Sequence, residues 1–130
     1  MKIENGKIKS TGLGPSANDG RGFGAWLHIE FNGSGQGFGG YALDTYLEKQ
    51  DRRDNYDRVG TAWGMEYIRR LLDTLEVGTW EELPDTHVRV RRTTDGWGGS
   101  IEAIGHIMKD QWFQPGEDLK FLLDENGFTK

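Results

Sequence analysis

The chain has no cysteine. Disulfides and thiolate metal sites are therefore excluded, and the usage is compatible with a reducing cytoplasm. Its longest apolar runs fall far short of the roughly 20 residues that span a membrane. Met1-Lys2-Ile3-Glu4-Asn5 carries no apolar signal segment. Positive charge is in deficit: 16 Lys and Arg face 21 Asp and Glu, for a net charge of −5. That balance argues against a duplex-binding surface but not against a small anion held by a few placed arginines. H-E-x-x-H and Walker Gly-Lys-Ser/Thr patterns are missing as well. No internal repeat or linker divides the chain, so residues 1–130 are expected to form a single domain without metal or cofactor.

Glycine and large aromatics are plentiful, with 20 Gly, five Trp and six Phe. Together they suggest a compact domain containing β-structure. The densest stretch is Gly33 to Gly40, five glycines in eight residues, leading into Tyr41-Ala42-Leu43-Asp44. Its match to G-x-G-x-x-G opens no helix, so a dinucleotide fold is rejected. A glycine-rich strand bends or admits a close neighbour. Its bare amides, with Gln36, Gly37, Phe38 and Gly39, are also a candidate wall against a ligand.

Periodicity places the remaining elements. Lys2 to Ser10 is either a hairpin about Asn5-Gly6 or one long strand with a bulge. Gly12 to Gly22 reads as loop. Phe23, Ala25, Leu27, Ile29 and Phe31 alternate as a strand, and Asn32-Gly33 turns it into the glycine-rich return. Asp44 to Arg58 reads as a charged loop or frayed helix. Thr61 to Val77 is expected to be the main helix, with Thr61 as N-cap and Gly78 at C′. Met65, Ile68, Leu72 and Leu75, widened by Leu71, make its inward stripe. Glu66 with Arg70 and Arg69 with Asp73 are spaced for ion pairs. Thr79 to Glu82 carries a capping-box pattern.

Thr86 to Thr94 and Ser100 to Lys109 read as strands. In the second, Ile101, Ala103 and Ile107 are assigned one face, and Ile104, His106 and Met108 the other. Pro115 opens a short tail helix. The fold class that results is α+β. It has an antiparallel sheet of five to six strands, one main helix and one or two short ones.

His87, Arg89 and Arg91 form a cationic comb on one strand face. Either Glu81, Glu82 and Asp95 neutralise it, or a phosphate does, since guanidinium forks suit phosphate. Trp97, set between glycines in a turn, is a candidate to stack on a base, worth roughly 1–3 kcal/mol. His28, His87 and His106 are widely spaced, and any two that meet in space would make an acid–base pair of the kind a small phosphodiesterase uses; His87 or His106 is the candidate for that enzyme reading.

Four blocks carry a resemblance. Gly33 to Asp44 (GSGQGFGGYALD), Arg58 to Ile68 (RVGTAWGMEYI), Trp80 to Pro84 (WEELP) and Ile104 to Phe113 (IGHIMKDQWF) resemble the first family of phage Thoeris anti-defence proteins. The likeness runs in order from Gly33 to about Asp118. It implies a sponge, not an enzyme. Such a protein works in the cytoplasm of an infected bacterium, holding intact the cyclic ADP-ribose isomers that TIR-domain proteins make as alarm signals. It also implies a homodimer with ligand pockets near the subunit contact. Some members form hexamers and also take cyclic di- or trinucleotides.

The expected ligand-binding set is Gln36, Gly37, Phe38, Gly39, His106, Lys109 and Asp110 on these blocks, with Arg89, Arg91 and Trp97 between the third and the fourth. Phe38 and Trp97 are for stacking and the arginines for pyrophosphate. Capturing a signal near ~1 μM needs a nanomolar dissociation constant, about −12 kcal/mol. An enclosed pocket suits that better than an open sheet face. A direct protein inhibitor of a host factor is the remaining alternative.

Overall fold

The computed structural model describes residues 2–15, 22–46, 58–93, 100–127 and 129–130. Its spine is β1 (Lys2–Gly14), one continuous strand with a bulge between Ile8 and Ser10, not a hairpin about Asn5-Gly6. It also extends into the stretch read as loop from Gly12. Residues Lys2 to Lys7 pair with β6 (His87–Arg92), and Lys7 to Gly14 pair with β2 (Gly24–Phe31). On one flank β2 turns at Asn32-Gly33 into β3 (Ser34–Ala42). Gly33 takes φ 86° there, the left-handed geometry that a two-residue hairpin turn requires. On the other flank β6 leads to β7 (Ile101–His106) and β8 (Trp112–Phe113). The antiparallel sheet runs β3-β2-β1-β6-β7-β8, and the α+β class expected above is the one observed. β3 is an edge strand, and SGQGFGGYA contains neither charge nor proline.

A separate two-stranded ribbon joins β4 (Asp44–Tyr46) to β5 (Arg58–Gly60), where a loop or frayed helix was expected. Arg58 clasps Asp44 through Nε and Nη2, at 2.9 and 2.8 Å. Burial alone would raise the Asp44 carboxyl. The Arg58 hydrogen bonds and the Phe23 N–H outweigh it and hold the group below the usual carboxylate range.

The main helix, α1 (Ala62–Leu75), begins as expected: Thr61 Oγ1 accepts the Gly64 N–H at 2.9 Å. It ends at Glu76, left-handed at φ 56°, so Gly78 is not its C′ residue. The inward stripe also differs. Trp63, Tyr67, Leu71 and Leu75 are buried, and Met65 is 60% exposed. The large rings at Trp63 and Tyr67 rotate the helix toward themselves, because they remove the most apolar surface from water. Of the expected ion pairs, Glu66 meets Arg70, but Arg69 turns to Glu66 as well.

Tyr67 is the hub of the core. Its ring lies 5.3–6.5 Å from those of Tyr41, Phe113, Trp63 and Phe38. Ile8, Leu27, Ile29, Val88, Val90 and Ile104 line the sheet side. In β7, Glu102 is an extra residue between two pairs, Arg91 with Ala103 and Arg92 with Ile101. This bulge overturns the face assignment made from strict alternation. Ile101 and Ile104 share the core side, while Ala103 lies opposite Arg91 on the outer face. Residues Trp80–Glu82 form a 3₁₀ turn, and Pro115 opens the short α2 (Pro115–Asp118). Among the described residues no helix is long and apolar enough to cross a membrane.

α1 lies hard against the backbone before the ribbon. A Cβ on Gly64 would overlap the Leu43 carbonyl oxygen and stand 2.7 Å from its Cα, whereas one on Gly60 meets nothing within 4 Å. Gly64→Ala is therefore expected to cost about 3 kcal/mol in urea denaturation, the upper range of overpacking, and Gly60→Ala to stay near wild type. Asp44→Asn tests the clasp. Because the folded carboxyl titrates below its unfolded value, its stabilisation is present above about pH 4 and lost as pH falls through the folded pKa. The wild-type advantage over the variant is expected at pH 7 and should vanish in acid.

Candidate ligand-binding site

α1 covers one face of the sheet, and the candidate residues divide between the faces by strand alternation. On the outer face of β3 stand Gly35, Gly37 and Gly39, opposite Glu30, His28 and Trp26. Two of these glycines have a structural reason. A Cβ on Gly37 or Gly39 would lie 2.9 Å from the Trp26 ring, which rests on their bare main chain. Toward the turn the hairpin leaves an open groove of about 550 Å³, with Lys9, His28, Glu30, Gly35 and Gly37 in its lining.

The side chains between these glycines face the core. Gln36 Oε1 accepts from the Arg92 guanidinium, which also bonds Glu4 at 3.1 Å and lies over the Phe31 ring. Phe38 is 1% exposed and stacks on Tyr67. It offers no face to a ligand, which corrects its assigned stacking role: in a strand whose outer positions are glycine, the ring is drawn inward.

The comb is real for Arg89 and Arg91, and its partners differ from those expected. Arg91 Nε bonds Glu102 at 3.1 Å and Nη2 bonds Gln114 at 2.7 Å. Arg89 donates to two carbonyl oxygens, of His106 at 2.8 Å and of Lys109 at 2.7 Å. Their guanidinium carbons lie 4.8 Å (Arg89) and 5.3 Å (Arg91) from the centre of the Trp112 ring, within cation–π range. Trp112 lies over Gly105, where a Cβ would come within 2.7 Å of the indole. One half-buried ring with two guanidiniums is thus set into the outer face. Each guanidinium has five N–H donors, and the bonds above use two.

His106, Lys109 and Asp110 come together at the turn between β7 and β8. His106 is opposite Val88 and so lies on the core side, toward the end of α1. Its Nδ1 accepts the Met108 and Lys109 N–H groups, both at 3.0 Å. Glu76 closes the cluster, accepting from Lys109 Nζ at 2.8 Å and from Gln111 at 3.1 Å, with His106 Nε2 3.6 Å away. The Lys109 bond, foremost, holds the Glu76 carboxyl below its ordinary range. Asp110 is exposed in the same turn. Trp97, and Asp95 as a partner of the comb, lie outside the described residues.

Arg89 thus joins the comb to the turn, but the glycine ribbon stands apart. Gly37 is level with Ser10 of β1 and Arg89 with Asn5, three strands away. At about 4.8 Å per strand and about 3.3 Å per residue, they are roughly 20 Å apart along the sheet. One ADP-ribose-sized ligand does not bridge them within one chain. His87 and His106 are also separated, since His87 is level with Lys7 on the outer face. Among the described residues no three His, Cys, Asp or Glu side chains gather as a metal site.

Sequence reasoning missed Trp112 as a site residue, together with Glu102, Gln114, Glu76, His28 and Lys9. Spacing alone does not pair Trp112 with Gly105, because β8 is only two residues long. Comparison of the chain with protein-family models, curated proteins and solved structures finds no match in any of the three.

Phe38→Ala is expected to lower stability by about 3–5 kcal/mol, as for other buried aromatics. Denaturation titrations check this; a variant as stable as wild type would place the ring outside the core.

Proposed function

We propose that this chain is a sequestering protein for cyclic ADP-ribose isomers, acting against TIR-based bacterial defence as the resemblance implies. The observation that carries the reading is the Arg89–Trp112–Arg91 layer on the face of the sheet opposite α1. A pyrophosphate calls for paired guanidinium donors, and an adenine calls for an aromatic edge or face. This layer supplies both within about one side-chain length. It does so on a chain whose overall charge repels anions, so the attraction is local.

The layer is partly exposed, with 20% of the Arg91 side chain accessible, and nanomolar capture needs exclusion of water. A second copy of the chain is the natural lid. It would also bring a glycine-lined groove to a ligand that the first copy's own groove does not reach. Cyclic di- and trinucleotides have the same phosphate and base chemistry and are secondary candidates. His87 and His106 do not form one acid–base pair in a hydrolase alternative, because they face opposite sides of the sheet.

The test is retention of the ligand in intact form. Protein is incubated with purified cyclic ADP-ribose isomer, freed of unbound ligand and heat-denatured. Unchanged isomer is expected in the supernatant, and cleaved product would mean an enzyme. Arg91→Ala is expected to weaken binding roughly ten- to hundredfold, the usual worth of a hydrogen bond to a charged group, with an unaltered circular dichroism spectrum. Normal affinity in that variant would remove the arginine layer from the site.

A further inference from the structure

We infer that His106 is a positioning residue and not a ligand contact: its Nδ1 pins the 107–110 turn, the turn holds Arg89, and a proton on Nδ1 releases both. The consequence for ligand affinity rests on the binding reading above; the pin itself does not.

The geometry sets the protonation state. Nδ1 accepts two backbone N–H groups, those of Met108 and Lys109, each at 3.0 Å. An imidazole nitrogen accepts only while it carries no proton, so the pinned ring is neutral with its hydrogen on Nε2. The turn closed in this way presents the Lys109 carbonyl oxygen, and the end of β7 presents that of His106. Both accept from Arg89. Of the two carbonyls that place Arg89 beside Trp112, the one the ring helps to hold is that of Lys109.

Four charged groups lie around the ring among the described residues. Glu76, from the end of α1, lies 3.6 Å from Nε2. Lys109, in the turn, is paired with the same carboxylate. Arg89, from β6, meets the carbonyls, and Asp110 is exposed. Glu76 favours an imidazolium, whereas the two amides oppose one, since a third N–H would then point at them. A proton on Nδ1 therefore exchanges one arrangement for the other. Protonation draws the ring toward Glu76 and strands two backbone donors. The turn then loosens, and Arg89 loses the Lys109 carbonyl.

The experiment has two arms, run on wild type and on His106→Asn. An asparagine Oδ1 accepts N–H groups two and three residues ahead, as in Asx turns, but does not titrate. In the first arm, without ligand, amide exchange protection at Met108 and Lys109 is followed by NMR from about pH 7.5 to 5, with the ring's Cε1–H shift as the titration marker. Wild-type protection is expected to drop about tenfold in step with that marker, while His106→Asn keeps its protection throughout. Protection that stays constant through ring protonation, or a ring that does not protonate in this range, overturns the pin.

In the second arm cyclic ADP-ribose is titrated calorimetrically over the same range. Wild type is expected to weaken about tenfold on acidification, and His106→Asn to stay flat near the wild-type value at pH 7.5. Amides that respond in a protein binding no cyclic ADP-ribose at any pH would sink the sponge reading and leave the pin standing. Binding that is equally insensitive to pH in both proteins would sink the positioning role and leave the sponge reading intact.

Discussion

Lys7 of β1 is paired on both sides, with Glu30 in β2 and with His87 in β6. Among the described residues it is the one level of β1 that is in register with both flanking strands. Below it β1 belongs to the arginine strands, and above it to the glycine hairpin. This stagger lets a sheet built on a 13-residue strand curl about a single helix. The Arg92–Gln36 contact closes that curl on the core side, across two intervening strands. Tyr67 fills the hollow. Burial pushes its phenol up, and among the described residues its Oη has no hydrogen-bond partner. The surrounding rings hold the helix in place at the expense of that orphaned hydroxyl.

The same stagger governs the surface. Strand alternation gives the outer face its glycines, arginines and tryptophans, but the offset along β1 separates them into two stations. Each station has a tryptophan lying on glycine: Trp26 on Gly37 and Gly39, and Trp112 on Gly105. Aromatic rings over glycines in neighbouring strands recover the packing that absent side chains forgo. The stations differ in what surrounds the ring. Trp112 has two guanidiniums, one tied to a carboxylate and one to main-chain carbonyls. Carbonyl partners leave a guanidinium's full charge in place, so Arg89 is anchored without being neutralised. That distinguishes the site from an ordinary surface ion pair.

Much of the fold was legible in the residues. Alternation from Phe23 to Phe31 and the Asn32-Gly33 turn located β2 and β3. Thr61 announced the start of α1, and Pro115 that of α2. Errors fell where a single residue shifts the count. The Glu102 bulge moved Ile104 to the face of Ile101, which no period-two rule foresees. Glu76 ended α1 in a left-handed conformation two residues before the glycine that usually marks it.

The candidate site was legible as a set of residue types but not as a constellation. Gln36 and Phe38 were read with the glycines because they are adjacent in sequence, and alternation sends them to the opposite face. Arg89 and Arg91 were recognised correctly as a pair. Their partners were sought in Glu81, Glu82 and Asp95 or in a phosphate; the fold gives Arg89 carbonyls 17 and 20 residues away, and Arg91 the side chains of Glu102 and Gln114. Trp112 takes its meaning from Gly105 and the comb, a relation that exists only once β8 is paired.

The border strand β3 has a consequence of its own. Proteins commonly guard such a rim with lysine or proline against strand-to-strand growth, and Ser34 to Ala42 has neither. Here shape is the safeguard: Gly40, at φ 86°, is an unmatched residue that breaks the ladder beside Trp26. A replacement that ironed out this kink would invite fibre-like stacking while leaving the protein's charge unchanged.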